Sequence, residues 1–73
     1  MTVIEALSDD IDTVVIDRQP MASTVHFHDR EGREIANRHL NQGDIIQGDT
    51  FHTRECMRFW VIREGNTYRG WRA

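Results

Sequence analysis

Seventy-three residues with 38% hydrophobic and 29% charged side chains and a single proline describe one small globular domain, not a disordered or low-complexity chain. A chain this short buries only about 60% of its unfolded surface, so its core is marginal, and no apolar run approaches the roughly 20 residues of a membrane span. One cysteine, Cys56, rules out an internal disulfide and a thiolate zinc site, and the absence of a basic segment leading into an apolar run at the start sets the expected location as cytoplasmic.

The net charge of −3 conceals a gradient. Residues 1–17 carry Glu5, Asp9, Asp10, Asp12 and Asp17 with no base, a charge of −5, whereas residues 50–73 set five arginines against Glu55 and Glu64, a charge of +3. Opposite ends of this kind are solvated faces of one domain or a means of attraction between copies. All nine basic residues are arginine, whose guanidinium suits stacked and bidentate interface contacts better than an ammonium does.

In chain order, Thr2 and Glu5 form a capping-box pattern and Ile4, Leu7 and Ile11 recur at helical spacing, which predicts a short helix over about residues 3–8 ended by Asp9 and Asp10. Residues 1–12 are thus a helix or an arm, and residues 13–73 a single small β domain. Val14-Val15-Ile16 is strand-forming and Pro20 stops it. Thr24-Val25-His26-Phe27-His28 alternates, placing Val25 and Phe27 on one face and His26 and His28 on the other. Asp29-Arg30-Glu31-Gly32 is a hairpin loop that returns through Arg33–Ala36. A Gln-Gly-Asp element occurs twice, at 42–44 and 47–49, and reads as two turns or a bulge around Ile45-Ile46. Phe51-His52-Thr53 reads as a brief strand.

Arg58 to Trp71 is the densest stretch: two aromatic and β-branched runs flank Glu64-Gly65-Asn66, a hairpin that holds both tryptophans and the only tyrosine. The expected fold is mainly β, a small barrel or sandwich of five to six short antiparallel strands with one short N-terminal helix. An α+β alternative places a helix around residues 31–42, where Ile35, Arg38, His39 and Gln42 have helical spacing and Gly43 would cap it.

Two constellations carry possible chemistry. His26 and His28 project to the same side of a strand, where two imidazoles can share a metal ion, with Glu31, His39, His52 or Cys56 as a third ligand; the competing reading is a pair of surface histidines. Arg58, Trp60, Ile62, Tyr68, Arg69 and Trp71 are of the residue types that dominate protein-protein hot spots, and the overall acidic charge argues against the same set gripping nucleic acid. No nucleophile elbow, phosphate loop or dinucleotide fingerprint is present, so neither an enzyme nor a cofactor is expected, and no small-molecule substrate.

Gly48-Asp49-Thr50-Phe51, then Phe59-Trp60-Val61-Ile62 and a last strand ending in Gly70-Trp71, resemble the C-terminal part of lambda-type phage head-tail joining proteins, over residues 43–73. The resemblance implies a small β-barrel subunit of a virion ring that contacts its neighbours through terminal arms and loops. The expected function is therefore a non-enzymatic structural module, a phage virion protein at a connector, tail or capsid position, forming homo-oligomers and contacting other virion proteins. The alternatives are a phage-encoded inhibitor whose acidic N-terminal segment imitates nucleic-acid phosphate, and a metal-binding β protein using the histidine pair.

Overall fold

The computed structural model describes residues 2–73. Helix α1 spans Val3–Leu7, with the Thr2 hydroxyl accepting from the Glu5 amide at 3.1 Å, and a single 3-10 turn, Ser8–Asp10, extends it. Seven strands follow: β1 Thr13–Arg18, β2 Ser23–His28, β3 Glu34–His39, β4 Ile45–Gln47, β5 Thr50–His52, β6 Arg58–Glu64 and β7 Thr67–Arg72. They form one antiparallel sheet in the order β3-β2-β1-β7-β6-β5-β4, curled into a half-barrel.

The strand count is seven, against the five or six read from the sequence, because Ile45-Ile46, which reads as lying between two turns or in a bulge, forms a strand. The two Gln-Gly-Asp elements are the turns on either side of it. Ile46 faces Phe51 across the β4–β5 pair and packs on the core, which fixes the register of so short a strand.

The α+β alternative is overturned: within residues 31–42 the chain runs extended as β3, paired with β2 from Thr24↔His39 to His28↔Glu34. Helical spacing of Ile35, Arg38 and His39 loses to hairpin geometry. The Asp29 carboxylate accepts from the Glu31 and Arg33 amides and turns the chain back onto β2, whose backbone groups need a partner.

Alternation then sorts the side chains. Val14, Ile16, Val25, Phe27, Phe51, Phe59 and Val61 point to the inner face and are buried, with the Phe51 and Phe59 rings stacked 6.1 Å apart. Ile4 and Ile11 from the N-terminal segment close over this core beside β3, so the segment is a helix seated on the domain. Gly70 lies on the inner side between Val14 and Val61, where a Cβ would run into the Trp60 carbonyl and lie 2.7 Å from Val61 Cγ1. Its bare backbone lets β6 and β7 come together there.

The sheet's edges, β3 and β4, are joined by side chains and not by a ladder. Arg38, on the inner side of β3 with its guanidinium 5.6 Å from the centre of the Phe27 ring, forms a double ion pair with Asp44 at 2.6 and 2.9 Å and with Glu55 at 2.7 and 2.9 Å. With the His39 carbonyl at 3.0 Å, all five of its N–H donors are used. Asp44 also accepts from the amides of Asn41 and Arg54, both at 2.8 Å. The side chain of Asp44 is fully buried and that of Glu55 nearly so. Burial alone opposes the charges of Arg38 and Asp44. For Arg38 it is outweighed by the hydrogen bonds to Asp44 and Glu55, which raise its pKa; for Asp44 the bonds from Arg38 and the two amides outweigh burial and hold the carboxyl below the usual range. The cluster locks the β3 edge to the segments before β4 and after β5.

Candidate interaction surface

The opposite, outer face of the sheet is the surface most unlike that of an ordinary small domain. The hairpin β6–β7 turns through Gly65 and Asn66 only, with Gly65 at φ 63°, the geometry of a primed two-residue turn that matches strand twist. This turn fixes the register: Trp60 lies opposite Trp71, Ile62 opposite Arg69, and Arg63 opposite Tyr68. Trp60, Ile62 and Trp71 keep 42%, 46% and 45% of their surface exposed and lie together on one face, and contiguous apolar exposure of this kind marks interaction surfaces. The neighbouring strand β1 continues the patch, with Thr13 opposite Trp71 and Val15 opposite Arg69. A depression of about 390 Å³ opens beside Trp71, walled by Val15, His28, Gly32 and Arg69.

Of the six interface residues expected from the sequence, Arg58, Trp60, Ile62, Arg69 and Trp71 share this face. Tyr68 does not: it alternates inward, opposite Ile16, and packs against the core. Adjacent residues of a strand point to opposite sides, so Tyr68 and Arg69 cannot serve one surface. The two-residue turn and the position of Trp60 together contain that information in the sequence.

Charge is distributed along the face. Arg58, with His52 beside it on β5, occupies one end of β6; Glu64 occupies the other, level with Thr67 on β7 and Asp17 on β1. Glu64 pairs with Arg69 at 3.1 Å in the open. The ends of the chain, opposite in charge, meet within the subunit. β1 lies against β7, and Arg72 reaches under the N-terminal segment to the carbonyls of Ser8 at 2.7 Å and Ile11 at 3.1 Å.

His26 and His28 lie on the same outer face, two strands away from β6–β7. His26 Nδ1 contacts Glu34 Oε1 at 2.6 Å. Hydrogen bonds from Asn37 and then from His26 hold the Glu34 carboxyl below its ordinary pKa. Neither Glu31, His39, His52 nor Cys56 joins the two histidines, and among the described residues no group of three His, Cys, Asp or Glu side chains has metal-holding geometry. Cys56, one of the candidate third ligands, is exposed at φ 72° in the tight turn between β5 and β6. That turn is anchored from inside: the buried Thr53 hydroxyl accepts from the Met57 amide at 3.0 Å.

No helix among the described residues is long and apolar enough to cross a membrane. Comparison with protein-family models, with curated proteins and with solved structures finds no match to this chain.

Proposed function

We propose that this chain is a non-enzymatic structural module that assembles through its outer sheet face, and that it serves in a phage virion as a connector, tail or capsid-associated protein, made in the host cytoplasm and carried into the particle. The observation that supports this most is the half-exposed Trp60–Trp71 pair set among Ile62, Val15, Arg58 and Arg69. Tryptophan and arginine dominate the energetic centres of protein interfaces because one supplies rigid apolar area and the other planar, multidentate bonding. A marginal core also gains stability from any partner that binds only the folded form. Inhibition by acidic mimicry has less behind it. Arg33 lies within the acidic group near the end of α1, 3.1 Å from Asp29 and 3.5 Å from Glu31, so the negative surface there is interrupted.

The test is incorporation. Phage particles assembled in cells supplying the tagged chain should contain it in stoichiometric copies, and the Trp60→Ala/Trp71→Ala variant, though folded, should be excluded. Absence of the unaltered chain from particles contradicts the reading.

A further inference from the structure

We infer that the outer face is covered by a second copy of the same chain, laid face to face about a twofold axis with its strands reversed; this rests on the reading of that face as an assembly surface. The argument comes from the order of residues along β6 and β7. Arg58 and Glu64 sit at the two ends of one strand face, six residues and about 20 Å apart. Between them lie one row with Trp60 opposite Trp71 and a second row with Ile62 opposite Arg69.

A twofold axis running across the strands, between these two rows, leaves each strand over its own counterpart but reverses it. Arg58 then lies over Glu64 of the other copy, Trp60 over Ile62, and Trp71 over Arg69, each contact occurring twice. The charged ends become complementary, a tryptophan covers an isoleucine, and a guanidinium meets an indole face. An axis along the strands instead places Arg58 near Arg58, and Glu64 and Asp17 near their own copies. The reversed arrangement sets the two charged ends of β6 against each other and covers both tryptophans. Glu64 keeps its bond to Arg69 and gains a second guanidinium on its outer side.

The curl of the sheet limits the contact to β6, β7 and β1. Three strands at about 4.8 Å spacing and about 20 Å of length give a plan area near 300 Å², below the roughly 800 Å² per partner of a standard interface, so the pair belongs to the weak, concentration-dependent class.

Sedimentation equilibrium from about 10 µM to about 1 mM, a range suited to such an interface, tests this. The unaltered chain should pass from monomer to dimer. Arg58→Glu and Glu64→Arg should each weaken dimerisation by about tenfold or more, since each sets like charges opposite one another, and the double variant should recover it. Near-UV circular dichroism confirms that all three fold. Monomer at every concentration, a closed assembly larger than two, or a double variant no better than the singles overturns the proposal. A monomeric chain that still enters particles through Trp60 and Trp71 removes self-pairing alone, whereas failure of the assembly reading appears as absence from the particles.

Discussion

Arg38 shows how a single side chain can carry the closure of the sheet. Its guanidinium satisfies two carboxylates that burial would otherwise penalise, and its removal leaves Asp44 and Glu55 facing each other without a counter-charge. Arg38→Met should therefore cost about 3–5 kcal/mol of unfolding free energy, measured by urea titration. Asp44 gives the same cluster a pH signature. Its pKa is lowered in the folded state, so the stability it contributes is fully present above its unfolded value near 3.8 and is lost as pH falls through the lower folded value. The stability difference between the unaltered chain and Asp44→Asn should be flat from neutral pH down to about 5 and shrink below 3.8. A difference unchanged down to pH 2 contradicts the assignment. None of this was legible in the sequence: Asp44 and Glu55 stand 6 and 17 positions from Arg38, at no recognisable spacing, and converge on it only because the sheet curls.

At the scale of elements, β6 and β7 work as a strip with two different sides. Phe59 and Val61 are committed to the core, and Gly70 supplies the close approach behind them. Gly70→Ala should cost about 1–3 kcal/mol by overpacking against Val61 and the Trp60 carbonyl, read as a lower urea midpoint with an unchanged slope. The alternation of this hairpin was legible, and with it the division of Phe59 and Val61 from Trp60 and Ile62. Tyr68 is of an interface residue type, but its parity on β7 sends it inward. Within residues 31–42, helical spacing competes in the same way with hairpin pairing. There, the Asp29 turn and the unpaired edge of β2 settle the matter, and neither is visible in hydrophobic spacing.

For the whole molecule, every strand lies beside its successor in sequence except β3, whose successor β4 forms the opposite edge of the sheet, while β1 and β7 pair in the middle. That placement brings the acidic beginning of the chain against its basic end and builds the outer patch from the β6–β7 hairpin and β1, a strand distant from it in sequence. It divides the molecule into an inner face that folds the chain and an outer face that we propose serves assembly. The strand segments were readable from alternation and turn residues; the curl that joins the edges through Arg38 was not, because it depends on contacts between segments.

The most direct test of this division compares Trp60→Ala/Trp71→Ala with Phe59→Ala by urea unfolding at about 5 µM, where a weakly associating chain is monomeric, together with sedimentation at high concentration. Two faces with separate tasks predict that the double variant loses less than about 1 kcal/mol and does not associate, while Phe59→Ala loses about 3–5 kcal/mol. Comparable losses of stability in both, with association intact in the tryptophan variant, would contradict it.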